Sequence, residues 1–379
     1  RDARGGFFGL LVVPPRGLER VRRGPLEVVL VLDASGSMNG RPMEQAKRAV
    51  GRVLDELGEG DTFHLINFAS RASALGDRSL AATRENKRRA ERYLETIVGE
   101  GGTEMMNGLR AVGAMAQDPS RRRFVVFLTD GFIGNEGEVL TELARGLGAS
   151  RVFALGIGDA PNRALIEGMA RVGRGAAGYV AVDDSGAETM DEFLRTVRRP
   201  AMTDVRVDWG GAGVREVYPA ALPDLFVGRP VMISGRIDGE WRRPVTVLGT
   251  QYGASGPEDR QVRVEDVREV TGSAGLGGTA VARLWARAKI RALDDAALMG
   301  RVDEAAATAE VRRTALDFGL LSRATAFLAV DSSERTAGSA GYTVAQPVPV
   351  PHGVRYDTAV EGAPQRAPAP GSDGRRGDD

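Results

Sequence analysis

Residues 26–38 read LEVVLVLDASGSM. Apolar residues, most of them β-branched or leucine, run from Val28 to Leu32 and end without a break in one aspartate, two serines and a glycine. Such a run marks a central parallel strand covered on both faces. Beyond it the period changes. Ala46, Val50, Val53, Leu54 and Leu57 recur at helical spacing between Arg41 and Leu57. A buried strand, an oxygen-rich turn and an amphipathic helix open an α/β unit, and in open α/β sheets ligands bind beyond the carboxyl ends of the strands.

The alternation continues. DTFHLINFA (61–69) reads as a strand, and 83–98 as a charged helix with Leu94 and Ile97 inward. Met105, Leu109, Val112 and Ala116 mark a further helix, and FVVFLTD (124–130) is a second buried strand ending in an acid. Val139, Leu143 and Leu147 lie at helical spacing; RVFALGIG (151–158) is a strand, 161–171 a helix and GYVAV (178–182) a short strand. Met190, Phe193, Leu194 and Val197 face inward on a helix over 186–198, which Pro200 stops. Strands alternating with helices predict a doubly wound, Rossmann-like α/β domain over 24–200.

After Pro200 short strands recur between turn signals: VRVDW, VREVYP, RPVMISGRI, RPVTVLGT and RQVRVEDV. They predict an antiparallel β domain over 201–270. GSAGLGG (272–278) is a linker or helix entry, helices follow over 279–294 and 302–319, and TAFLAVD (325–331) returns as a strand; 271–335 is thus a helical pair plus a strand. The Pro-, Gly- and charge-rich stretch 336–379 predicts an extended to disordered tail. The early strand in GGFFGLLVVPP (5–15) resembles the later β strands, so residues 1–23 are expected to join the β domain, with the α/β domain inserted into it.

The composition excludes several function classes. Of 379 residues, 51 are acidic and 51 basic, so no global field recruits nucleic acid or an anionic membrane. There is no cysteine, which removes disulfides, thiolate zinc sites and cysteine nucleophiles. No apolar run approaches the ~20 residues that span a bilayer. The chain begins at Arg1, and the expectation is a processed or excised piece, with a secreted or cell-envelope location favoured and the oligomeric state left open. The arginines at 20–23, 87–92 and 121–123 read as solvated helix ends and loops, and Trp241 and Trp285 as core residues.

Chemistry concentrates at the strand ends. Asp33, Ser35 and Ser37 follow the first buried strand, Asp130 follows the second, and GEGGTEM (99–105) places Thr103 after two glycines and before a helix. If the two strands are neighbours, two carboxylates and three hydroxyls meet at one edge without imidazole or thiol. That oxygen set suits a hard cation; Mg²⁺ takes six oxygens at ~2.0–2.1 Å and keeps several waters. Ser35, Ser37 and Thr103 could ligate directly while Asp33 and Asp130 hold ligands or waters, leaving a position for an outside carboxylate. The bland alternative is capping of the following helices. Capping accounts for one serine, not for the whole set.

DASGSM resembles the DxSxS motif of von Willebrand factor type A domains. With Thr103 in GGT and Asp130 in LTDG it completes the five positions of that family's metal-ion-dependent adhesion site (MIDAS). A narrower resemblance spans nearly the whole chain: GFFGLLVVPP, APNRALIEGMARVGRG, VYPAALPDLF, ARLWARAKI and ALDFGLLSRATAFLAVD are similar to bacterial proteins of the inter-alpha-trypsin inhibitor heavy chain type. Those proteins usually carry an N-terminal VIT domain, of which only a trailing strand is matched here.

The resemblance implies a binding module rather than an enzyme. Mg²⁺, with Mn²⁺ or Ca²⁺ as substitutes, would be completed by an Asp or Glu of a protein partner, and Met38, Asn39, Glu104, Gly131 and Phe132 would form the contact rim. One alternative is a Mg²⁺-dependent hydrolase or phosphotransferase, because an Asp after a buried strand is similar to the haloacid dehalogenase nucleophile. That family wants a second Asp where Ser35 stands, and His64 sits mid-strand, away from the site. A structural envelope component with a stabilising metal is the other alternative. Glycine spacings in GIGDAP and GSAGLGG fit no dinucleotide fingerprint.

Overall fold

The computed structural model describes residues 4–14, 23–131, 133–158, 160–180, 200–239, 241, 244–253, 256–264 and 276–327. The helix expected over 186–198 and the tail 336–379 lie outside these residues.

The described chain opens with strand β1 (Gly6–Val12) and then enters a mixed sheet. Its centre is five parallel strands: β2 (Leu26–Asp33), β3 (Thr62–Phe68), β6 (Arg122–Thr129), β7 (Arg151–Ile157) and β8 (Arg174–Val180). They lie in the order β3-β2-β6-β7-β8. Two short strands, β4 (Ala72–Ala74) and β5 (Leu80–Ala81), pair antiparallel with β3. The chain steps from β2 to one side and later to the other, so β2 and β6 flank the topological switch point, where ligands bind in this architecture.

The absence of polar alternation along β2 has a simple cause. Val28, Leu30 and Leu32 face a layer built by α1 (Arg41–Glu56) and α2 (Arg84–Thr96), through Ala46, Val50, Val53, Ala90 and Leu94. Val29 and Val31 face the opposite layer, built by α3 (Met105–Gly113), α4 (Glu136–Gly146) and α5 (Arg163–Val172). All five strand residues are fully buried, each worth roughly 1.5–3 kcal/mol of gross burial.

The remaining strands are β9 (Pro200–Asp208), β10 (Gly213–Tyr218), β11 (Leu225–Phe226), β12 (Val231–Asp238), β13 (Val245–Gly253) and β14 (Gly256–Val264). They form two antiparallel sheets, β1-β12-β10 and β11-β9-β13-β14. β1 pairs with β12 from Gly6↔Ile237 to Val12↔Val231, so strands on either side of the parallel sheet in sequence are partners in space. Pro200, expected to stop a helix, is the first residue of β9, a position where a missing N–H is tolerated.

A helical hairpin, α6 (Leu276–Leu298) and α7 (Glu304–Phe318), covers the β1 face through Trp285, which stacks against Phe7 and Phe318. Asp303 caps α7 through Ala306 N–H, and Gly319 ends it at φ +60°. Trp285 is a core residue as expected, whereas Trp241 is only half-buried. Thr325–Phe327, the described part of the expected return strand, is not in a strand beyond an isolated Ser322–Thr325 bridge.

Arg23, Arg122 and Arg123 depart from the solvated reading. Arg122 and Arg123 belong to β6, and Arg123 is buried with Glu27 at 2.8 Å. Its guanidinium also donates to the Met115 and Ala116 carbonyls beyond α3. Arg23 is bidentate to the buried Asp61. In each case the charge is held by a partner within the fold, which is the condition for burial.

Candidate metal centre

The register of the two central strands builds the site. Leu32 lies opposite Leu128, so Asp33 stands beside Thr129, and Asp130 follows one residue on. Asp33 is fully buried and its carboxylate is held: Oδ1 accepts from Ser35 N–H at 2.9 Å and Oδ2 from the Thr129 hydroxyl. The Thr129 hydroxyl in turn accepts from Gly131 N–H at 2.8 Å. Asp130 is buried, and its carbonyl accepts from Asn162 N–H at 2.8 Å, at the N-cap of α5.

The serines do not cap helices. Ser35 precedes a 3₁₀ turn, Gly36–Met38, and makes no side-chain cap bond; Gly40, not a serine, caps α1. Instead the two hydroxyls face each other at 3.2 Å. Ser35 is buried and Ser37 exposed, so the pair spans the floor and mouth of the loop.

The loop carrying Thr103 is locked to the serine loop by backbone bonds. Gly36 N–H donates to Gly101 O at 3.1 Å and Glu100 N–H to Ala34 O at 2.9 Å. The approach demands glycine at position 99, where a Cβ would lie 2.7 Å from Asn39 N. Gly101 turns the chain at φ +78°, a conformation glycine adopts without penalty. Behind both loops the end of β3 forms a wall. Phe68 O accepts from Ala34 N–H, Ser70 Oγ from Gly102 N–H, and Ala69 O from Glu104 N–H. Thr103 is half-buried between these ties and is not the cap of α3; Glu104 holds that position without a side-chain bond.

The structure thus gathers Asp33, Ser35, Ser37, the Thr103 loop and Asp130 at one sheet edge. Burial pushes the Asp33 carboxyl above its usual value; hydrogen bonds from Thr129 and Ser35 pull it back, and the Asp130 charge adds to the rise. A cation between the two loops would relieve that repulsion. Among the described residues no group of three or more His, Cys, Asp or Glu could hold a metal; the side chains that these loops offer are two carboxylates and three hydroxyls. Oxygen donors of this number fit a hard cation that retains water.

Other expected site residues fall differently. Asn39 and Glu104 are exposed near the loops, and Gly131 is buried at φ +72°. Met38 is fully buried in the core with Met43 and Val50, so it anchors the serine loop from below and is not on a rim. Phe132 lies outside the described residues. His64 lies opposite Val29, four residues back from Asp33, roughly 13 Å along the strand at ~3.3 Å per residue. Thr129, Ser70 and Asn162 were not singled out in the sequence. Thr129 could not be found from the strand ends: aligning the ends of LEVVLVLD and FVVFLTD sets Asp130 opposite Asp33, and only the observed register, with Leu32 opposite Leu128, brings Thr129 beside it.

Residues 26–179 match the family described as von Willebrand factor type A domain. The chain is 28% identical over 238 residues, 62% of its length, to a von Willebrand factor A domain-containing protein of Dictyostelium discoideum. It is 26% identical over 91% of its length to human inter-alpha-trypsin inhibitor heavy chain H6. It spans only 25% and 29% of those two relatives' own lengths. Among solved structures, a von Willebrand factor type A protein from Catenulispora acidiphila superposes with a TM-score of 0.55 at 19% identity, covering 84% of this chain and 89% of that one. The parallel-sheet portion of this chain is a von Willebrand factor type A domain, joined to antiparallel sheets and a helical hairpin. Within that class its relatives include the inter-alpha-trypsin inhibitor heavy chains.

Proposed function

We propose that the chain is a metal-dependent protein-binding module. Ser35, Ser37 and Thr103 would hold Mg²⁺ through their hydroxyls, with Mn²⁺ or Ca²⁺ as substitutes, while Asp33 and Asp130 fix the loops and coordinated water. The cation supplies a positive centre with an unfilled position, and an Asp or Glu of a partner protein completes it. Asn39 and Glu104, both exposed beside the loops, would contact such a partner. The observation that carries this reading is the mutual locking of the 34–39 and 99–104 loops beside Asp130, with serine hydroxyls that serve no helix cap.

Ligand exchange at the site needs no proton transfer, and His64 is too far back on its strand to assist one. The test is retention of extracellular proteins on the immobilised chain in Mg²⁺ and in EDTA, for wild type and Asp130→Ala. Proteins held by wild type in Mg²⁺, released by EDTA and not retained by the variant support the proposal. Retention indifferent to both EDTA and the substitution refutes it.

A further inference from the structure

The two carboxylates of the site sit on different strands, and one hydroxyl ties those strand ends together. Thr129 is fully buried on β6. Its hydroxyl donates to Asp33 Oδ2 and accepts from Gly131 N–H at 2.8 Å. A hydroxyl has one proton to give and lone pairs to accept with, so both bonds are made at once. Asp130 lies between Thr129 and Gly131, so the tie spans it and holds the backbone on both sides of it. Gly131, at φ +72°, turns the chain away immediately afterwards, and Asn162 N–H holds the Asp130 carbonyl.

We infer that Thr129 is a positioning residue of the cation site, whose side chain fixes Asp33 and the Asp130–Gly131 turn relative to each other. This rests on the cation reading above. Asp33 and Thr129 are neighbours across a parallel ladder whose register cannot slip, because Val28–Leu32 of β2 and Phe124–Leu128 of β6 alternate between two apolar layers. The position therefore needs a hydroxyl on a β-branched frame. Valine would fill the same volume and leave a buried carboxylate oxygen and a buried N–H without their partner. Serine would keep both bonds and lose only a methyl.

The experiment compares wild type, Thr129→Val and Thr129→Ser with two readouts. The first needs no metal: hydrogen exchange of the Gly131 amide in EDTA. The second is Mn²⁺ affinity, read from free Mn²⁺ by electron paramagnetic resonance. Thr129→Val should speed Gly131 exchange at least about tenfold, and weaken Mn²⁺ binding roughly 10–100-fold, the usual effect of losing an outer-shell partner. Thr129→Ser should stay within about threefold of wild type in both, which separates the hydroxyl from general packing. Unchanged exchange and affinity in Thr129→Val overturn the assignment, as does a serine variant as impaired as valine. Wild type that takes up no Mn²⁺ overturns the cation reading itself; the Gly131 exchange, read without metal, tells that failure from failure of the Thr129 tie.

Discussion

Removing the Asp224 carboxylate should destabilise the chain by about 3–5 kcal/mol, the cost of leaving a buried charge without its partner. Asp224 lies just before β11 and Arg151 opens β7, and both side chains are fully buried. Their pairing is bidentate: Nε to Oδ2 at 2.7 Å and Nη2 to Oδ1 at 3.0 Å. It joins the amino edge of the parallel sheet, opposite the candidate metal centre, to the antiparallel sheets. In Asp224→Ala the guanidinium keeps Asp204 at 2.7 Å and the Ala149 carbonyl at 2.7 Å, which places the loss near the lower bound. Asp204→Ala removes a carboxylate that is 50% exposed and solvent-screened, so about 1 kcal/mol or less is expected. Replacing both partners, Arg151→Met with Asp224→Leu, should recover most of the loss, because no charge is then stranded. Urea unfolding followed by tryptophan fluorescence and far-ultraviolet circular dichroism measures all four proteins. The two probes must coincide for a single free energy to apply. A loss below about 1 kcal/mol in Asp224→Ala, or one equal to that of Asp204→Ala, would refute the reasoning.

Three further outcomes follow from other parts of the fold. Burial opposes ionisation of Asp61, but hydrogen bonds from Arg23 and from the Leu26 and Gly58 amides outweigh it and hold the carboxyl below its usual value. Its contribution is complete above the unfolded value near ~3.9 and is lost as pH falls through the folded one. Acid unfolding should therefore be blunter in Asp61→Asn, and an unchanged acid limb counts against it. Asp33 has the opposite sign: its carboxyl is raised by burial, so the cation-free chain gains stability as pH falls towards its folded value from above. Asp33→Asn should flatten this pH dependence in EDTA and remove the response to Mg²⁺; a pH dependence in EDTA equal to that of wild type would contradict this. Gly137→Ala gains up to ~1 kcal/mol of helix propensity in a free helix. Here the new Cβ would meet the Leu298 carbonyl oxygen at 2.0 Å, backbone that cannot yield, so the melting temperature should fall rather than rise.

Much of this was legible in the sequence, for physical reasons. Both layers of the parallel sheet are apolar, so β2, β6 and β7 read as unbroken hydrophobic runs, and α1 and α5 show their buried stripes at helical spacing. The site followed from which strands end in oxygen donors. What could not be read depends on tertiary partners. β4, β5 and β11 are two or three residues long, too short for a period. Met38 carries the same side chain whether it lies on a rim or in the core; only the 3₁₀ turn directs it inward. Arg122, Arg123 and Arg151 look like surface charge until Asp204, Glu27 and Asp224 arrive from distant parts of the chain. Among the described residues no helix is long and apolar enough to cross a membrane.

The central claim is that the loops around Ser35, Ser37 and Thr103 bind a divalent cation. Thermal unfolding in Mg²⁺, in Mn²⁺ and in EDTA, on wild type and on Ser35→Ala/Ser37→Ala, tests it most directly. A cation that binds only the folded chain adds ~2.7 kcal/mol at a hundredfold excess over its dissociation constant. The account predicts a rise in wild type with either metal that EDTA reverses and the double variant lacks. Equal melting temperatures in all three conditions for wild type, or an equal rise in the double variant, would contradict it.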